Sequence, residues 1–288
     1  MQSRSLKQLD RLTVAQPLPV SEDTDSVKEL ATTSLPADTK NPTEPRWSPP
    51  KNLAAERACL LRQTLERHRD ERQIVILQDF PDPDALSSAW TYKLIAEQYN
   101  IGCDIVYAGA LSHQENIALV KLTNLPAQRW TSQTLKNKDL SGYSGFVLID
   151  NQGTTSQLMP LVQQAGIRPT AIIDHHQMQV ELQPEFADIR PNIRATATIM
   201  TQYLQAGLLS FDSSVGDHVK CATALMHGLR SDTNGLRQAQ EEEFLAAAYL
   251  SRFYDHQLLN AVLQATRSNR VMDVIERRLK NGVVQNNF

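Results

Sequence analysis

Ala171-Ile172-Ile173-Asp174-His175-His176 is the stretch that decides the fold of this 288-residue chain. An apolar run of this kind reads as a strand buried on both faces, as in a parallel sheet covered by helices. The polar triplet then stands at the strand's C-terminal end, the edge where open α/β sheets hold their ligands. Two further runs repeat the arrangement. Ile74-Val75-Ile76-Leu77 leads into Gln78-Asp79-Phe80-Pro81-Asp82-Pro83-Asp84, and Phe146-Val147-Leu148-Ile149 leads into Asp150. Three strands thus deliver carboxylates and imidazoles to one rim, which points to a metal site.

Around these runs strand and helix signals alternate. Strands are expected at 74–78, 103–108, 146–150 and 170–174. Helices are expected at 52–72, 84–99, 116–122, 155–165, 196–206 and 216–230. Beyond about 238 the pattern is helical to roughly 280, with no further strand. The expected fold class is α/β, a mainly parallel sheet flanked by helices, followed by a helical linker. Residues 1–50 carry half of the 14 prolines among Ser, Thr, Asp and Lys. They read as a disordered extension with a weak helix signal at Lys7–Val14, because so polar a stretch cannot offset its ordering entropy. The expected domains are this extension, a metal-binding domain over 51–237, and the linker over 238–288.

Bulk properties narrow the function. Lys and Arg number 29 against 32 Asp and Glu, a net charge of −3. No bulk attraction to long nucleic acid or an anionic membrane follows. The start lacks a signal peptide, and no run approaches the ~18 apolar residues of a membrane span. Cys59, Cys103 and Cys221 are odd in number and lack zinc-ligand spacing, so they read as free thiols. A cytoplasmic location is expected.

Each acidic site has a plain structural explanation beside the chemical one. Asp84 suits a helix N-cap, and Asp150 precedes Asn151-Gln152-Gly153, a plausible turn. Asp174-His175-His176 is harder to explain by packing, since imidazole suits Mn, Fe or Zn and a neighbouring carboxylate can orient it. Asp232 closes an apolar helix, with Gly235 just beyond as a C-terminal stop. A carboxylate there opposes the helix dipole unless a cation compensates. Thr196 and Thr198 read as helix caps, Arg190 as a solvated surface group, and Glu241-Glu242-Glu243 as a solvated helix start.

In order, Pro81-Asp82-x-Asp84-Ala85-x-x-Ser88, Asp150, Asp174-His175-His176 and Asp232-Thr233-x-Gly235 resemble the motifs of the DHH phosphoesterase superfamily over roughly residues 72–237. Ser112-His113-Gln114-Glu115-Asn116 resembles the stretch after the second strand in its RecJ-like branch, and the superfamily also includes oligoribonucleases. The resemblance implies two divalent cations, usually manganese with magnesium or another ion as substitutes, that activate a bridging water. On matching positions Asp82 would bind the first ion and Asp84 the second. Asp150 would bridge both, and His175 and Asp232 would complete the second site. His176 would meet the scissile phosphate as charge stabiliser or proton donor, with Asp150 also central to catalysis. His113, Arg230 and Arg237 are candidate substrate contacts. Expected partners are a short oligonucleotide, nucleotide or cyclic dinucleotide, with no membrane, and a homodimer is left open.

Two departures from the pattern bear on function. The family usually has histidine four residues before its first aspartate, where this chain has Gln78, either a metal ligand or a neighbour of one. The resemblance also implies a C-terminal substrate-binding domain, whose entry Asn281–Phe288 resembles and which is expected to be missing. A metal-dependent phosphoesterase is the leading expectation. A non-catalytic metal- or nucleotide-binding regulator and an inorganic pyrophosphatase are the alternatives.

Overall fold

The computed structural model describes residues 53–136, 138–179 and 182–265. Six strands form one sheet: β1 (Arg72–Ile76), β2 (Gly102–Tyr107), β3 (Ala127–Arg129), β4 (Gly145–Ile149), β5 (Arg168–Asp174) and β6 (Phe186–Ile189). Their order is β3-β2-β1-β4-β5-β6 and every pairing is parallel. The described helices are α1 (Leu53–Arg67), α2 (Pro83–Glu97), α3 (Gln114–Thr123), α4 (Ser132–Lys136), α5 (Met159–Gln164), α6 (Thr196–Gln205), α7 (Gly216–Asp232), α8 (Glu241–Leu250) and α9 (His256–Gln264). The α/β class and the buried strands agree with the sequence reading. β3, β6 and α4 are additions to it, because these short elements at the sheet's margins lack the continuous apolar run that marks the central strands.

Strand side chains alternate between two cores. Val75, Ile105, Val147, Ile149 and Ile173 face one, with α1, α2, α6 and α7. Ile74, Ile76, Val106, Phe146, Leu148 and Ile172 face the other, with Trp130, Leu158 and Val162. Burial on both faces is why these strands read as unbroken apolar runs.

Strand order places the site. The chain runs outward from β1 to β2 and β3, then returns beside β1 to start β4. Strands 1 and 4 therefore diverge at the switch point, where the loops leaving their C-terminal ends separate and open a crevice. Asp82 and Asp84 follow β1, and Asp150 follows β4. His175 and His176 follow β5, the next strand over, about 4.8 Å further along the sheet.

The start of α2 differs from expectation in one residue. Its N-cap is Asp82, whose Oδ1 accepts from the Ala85 N–H at 2.9 Å, and Pro83 fills the first helical position. Proline suits that position because its missing N–H would be unpaired there anyway. Asp84 is thereby freed from capping its own helix.

The disordered extension expected over 1–50 lies outside the described residues, as does the linker from 266 onward. Residues 238–265 carry α8 and α9 with no strand, and Ala246, Leu250, Leu259 and Val262 join the core shared with α2, α6 and α7. No helix among the described residues is long and apolar enough to cross a membrane.

Candidate metal centre

Asp84 is 0% and Asp150 1% exposed, an unusual state for carboxylates. Each is held by the N-terminus of α6. Asp84 accepts from the Thr196 N–H through Oδ2 and from the Ala197 N–H through Oδ1, both at 2.7 Å. The Thr196 hydroxyl donates to Asp150 Oδ1 at 2.9 Å. Helix N-terminal N–H groups and the dipole behind them favour anions there. Thr196 is thus not a cap as the sequence suggested. The N-cap is Ala195, without a side-chain cap, and Thr198 instead approaches Glu243 at 3.4 Å.

Asp150 has a left-handed backbone, φ 58°, a conformation that costs an L-residue energy and clusters at functional sites. It ends β4 abruptly. Asn151 secures the turn by donating to the carbonyls of Ile76 and Ile149, at 3.1 and 2.8 Å, which ties the ends of β1 and β4 together.

His175 lies among these groups. Its Nδ1 is 3.3 Å from the Ile193 carbonyl. A carbonyl only accepts, so Nδ1 carries the proton and Nε2 faces the cluster. From Nε2 the distances are 3.4 Å to Asp232, 3.5 Å to Asp150 and 3.9 Å to Asp84. His176 Nδ1 lies 2.8 Å from Asp174 Oδ1, and Asp174 is held in turn by Gln152 at 2.8 Å. Asp174 thus orients an imidazole.

Charge and burial conflict here. Burial raises Asp150 well above the usual carboxylate range, and Asp84, Asp82 and Asp232 add to it. Burial, then Asp232, does the same for Asp84 and, less strongly, for Asp82. Burial alone would lower His175, but Asp232, Asp84 and Asp174 outweigh it and lift the imidazole to about 9.

Two atoms stand out: Asp150 Oδ2 and His175 Nε2 are buried with no hydrogen-bond partner. Leaving a buried polar atom unpaired costs about 1–3 kcal/mol, more for a charged group. Their residues belong to two triads that could each hold a metal ion, with ligand atoms within 4.8 Å of one another, Asp150–His175–His176 and Asp84–His175–Asp232. A cation at this place would satisfy both atoms and neutralise the carboxylates, so the residues fit the metal that the motifs imply.

The other candidates are less central. Gln78 is half-buried two residues past β1, on the same edge. Asp79 turns away and accepts from the Gln157 N–H at 3.0 Å. His113 lines a cavity with Asp82, Arg230 is half-buried, and Arg237 is exposed. The surface reading of Arg190 is corrected. It is 9% exposed and grips Asp188 through two hydrogen bonds, because β6 buries an aspartate that needs a counter-charge. Glu243, also expected to be solvated, is 1% exposed and accepts from the N–H groups of Arg194 and Gln240. A cavity of about 710 Å³ near Arg190, Ile193 and Gln202 contains none of the candidate ligands. Sequence reasoning read Asn151 and Gln152 only as turn residues, and it named Asn116 within the RecJ-like stretch without the contact it makes. Asn116 donates to the Pro81 carbonyl at 3.0 Å and so anchors the Asp82-Asp84 loop.

Two expected results follow from this geometry. Thr196→Val removes the hydroxyl on Asp150 but keeps the N–H on Asp84. Losing a group that orients a ligand weakens metal binding by about 10- to 100-fold, measurable by calorimetry with Mn²⁺, and Thr196→Ser should restore it. Equal affinity in the valine variant would make the hydroxyl incidental. The second concerns pH. In metal-free protein, raised His175 adds stability that is complete below about pH 6.5 and lost as pH rises toward 9. Raised Asp84 and Asp150 act in the same sense. Cation binding requires the deprotonated forms, so its stabilisation grows over that window. The melting temperature in chelator should fall between roughly pH 6.5 and 8.5 while the rise caused by Mn²⁺ increases. A flat profile in chelator would contradict the electrostatic account.

Comparison with known proteins adds the following. A family model described as DHH family, N-terminal domain, matches residues 73–229, more than half of the chain. An uncharacterized protein of Methanocaldococcus jannaschii is 30% identical over 230 residues, which cover 80% of this chain and 45% of that protein. The chain therefore spans less than half the length of that relative. The crystal structure of an exopolyphosphatase-related protein from Bacteroides fragilis superposes with a TM-score of 0.63 at 17% identity, covering 80% of this chain and 66% of the other. At that identity the likeness is one of fold. Exonuclease RecJ bound to manganese aligns at 13% identity over 78% of this chain and 68% of its own, with a TM-score of 0.36.

Proposed function

The chain belongs to the DHH family, and from that premise we propose that it is a divalent-metal-dependent phosphoesterase. Its substrates are short oligonucleotides or nucleotides, cleaved at phosphodiester or phosphomonoester bonds. One observation carries this reading: Asp150 Oδ2 and His175 Nε2 are buried and unpartnered inside a knot of carboxylates. Without a cation such a knot is destabilising.

Asp84, Asp150, His175 and Asp232 would hold the metal, with Asp82 and Gln78, on the same sheet edge, as further proposed ligands. Carboxylate oxygens with imidazole suit Mn²⁺, and the resemblance to the DHH motifs implies two ions. Bound divalent cations supply Lewis acidity, neutralising phosphoryl charge and letting water ionise near neutral pH. The protein supplies the rest. The α6 N-terminus fixes Asp84 and Thr196 fixes Asp150. Asp174 holds His176 Nδ1, which frees Nε2 to donate a proton or stabilise charge at the phosphoryl group. His113 lies beside Asp82 along the cavity wall, in reach of a bound substrate.

The test is release of mononucleotide or phosphate from short oligonucleotides after Mn²⁺ is added to chelated protein. Turnover that depends on the ion supports the proposal. Nucleotide binding without turnover would favour the regulator, and cleavage of pyrophosphate alone would favour a pyrophosphatase.

A further inference from the structure

Glu243 lies beyond the residues matched by the family model and outside the DHH-like motifs, yet hydrogen bonds join it to the metal centre. It stands in the first turn of α8 and is 1% exposed. A capping role explains one of its oxygens. Oε2 accepts from the Gln240 N–H at 2.9 Å, one arm of a capping box whose other arm is the Gln240 side chain. That cap needs no charge, since glutamine serves it as well, and burying a charge is costly. Oε1 has no part in the cap. It crosses to the connection between β6 and α6, where it accepts from the Arg194 N–H at 3.0 Å and meets the Thr198 hydroxyl at 3.4 Å.

The Arg194 N–H shares a peptide unit with the Ile193 carbonyl, and that carbonyl accepts from His175 Nδ1 at 3.3 Å. The unit is planar and trans, so its N–H and C=O point in opposite directions. His175 therefore stands at one end of a relay and Glu243 at the other, with one rigid amide between them. Hydrogen bonds in such a chain polarise one another. A carboxylate at the N–H makes the Ile193 oxygen a stronger acceptor. That fixes the His175 ring and enriches Nε2, the nitrogen that faces the carboxylate cluster. A carboxylate bonded directly to a ligating imidazole has the same effect in many metal sites. His176 has the direct form, through Asp174. His175 has a form lengthened by one amide. The same connection runs on into Thr196 and Ala197, so Glu243 also steadies the helix start that holds Asp84.

We propose that Glu243 is a positioning residue of the metal centre, acting on His175 through the Ile193–Arg194 amide. The inference rests on the metal-binding reading of the site and adds to it a group carried by α8.

The experiment measures two quantities in the full chain: Mn²⁺ affinity by calorimetry, and the His175 Nδ1–H proton resonance in metal-free protein. Glu243→Gln keeps the shape and removes the charge. It should weaken Mn²⁺ binding about tenfold, the lower end of the cost of losing a group that orients a ligand. The proton should move upfield as its hydrogen bond weakens. Gln240→Ala is the control, since it breaks the cap on α8 and leaves the relay whole. It should lower the melting temperature while affinity and resonance stay parental. An unchanged affinity or an unchanged resonance in Glu243→Gln would overturn the inference, and so would the same losses in Gln240→Ala. If Glu243→Gln does not fold, Glu243→Asp, whose carboxylate stops one methylene short of Arg194, is read in the same way. A parent that binds no Mn²⁺ defeats the metal reading instead, and the resonance in metal-free protein then decides the relay by itself.

Discussion

Asp150→Asn is expected to lower Mn²⁺-dependent hydrolysis about a thousandfold or more, a loss of roughly 4 kcal/mol in transition-state stabilisation. The substitution isolates charge. Asparagine tolerates the left-handed backbone that Asp150 adopts, and its side-chain oxygen still accepts from the Thr196 hydroxyl. The anionic oxygen Oδ2, which has no protein partner, is replaced by an amide nitrogen that cannot ligate a cation. Stability should move the other way. Burial and the carboxylates of Asp84, Asp82 and Asp232 all oppose ionisation at Asp150, so the metal-free variant should melt higher than the parent. The rise in melting temperature on adding Mn²⁺ should largely vanish. A variant that keeps parental turnover would dispose of the metal centre as drawn.

Gly228→Val is expected to cost about 3 kcal/mol of stability, the upper range for forcing methyl groups into a packed interior, and to weaken Mn²⁺ binding as well. A Cβ at Gly228 would stand 2.6 Å from Ser87 Oγ and 3.0 Å from both the Asp84 Cα and the Pro83 carbonyl. Two of those atoms are backbone and cannot rotate aside, so α7 must back away from α2. Asp232 lies four residues along α7 on the same face, and one of the crowded atoms belongs to Asp84, so the two ligands separate. In an ordinary helix interior, replacing glycine by alanine gains about 1 kcal/mol, and close approach reverses that sign here. Gly216, at the start of α7, has open space within 4 Å of where its Cβ would stand, and Gly216→Ala serves as the neutral control. Calorimetric unfolding and Mn²⁺ titration of the three proteins measure both effects, and an undisturbed Gly228→Val would show that the helices can separate freely.

Much of the site is legible in the sequence. A buried strand must be apolar along its length, so the point where polarity returns marks its end, and Gln78, Asp150 and Asp174 are located in this way. The supporting groups are harder to read. Thr196 looks like a cap because hydroxyl residues at helix starts commonly are, yet its partner Asp150 lies 46 residues away. Arg190 and Glu243 look solvated because charged residues usually are, and only Asp188 and the chain at Arg194 explain their burial. Asn116 belongs to the RecJ-like stretch, but only the fold shows that it acts by anchoring the Pro81 carbonyl.

The amino-acid order by itself determined the α/β class, the central strands and the residues at their ends, since burial on both faces and the return of polarity are local properties. Only the folded chain decided that these ends meet. Placing β4 beside β1 and packing α7 tightly on α2 at Gly228 bring residues as far apart as 84 and 232 to one crevice. Pairing between strands depends on contacts far apart in the chain, which no short window of residues records.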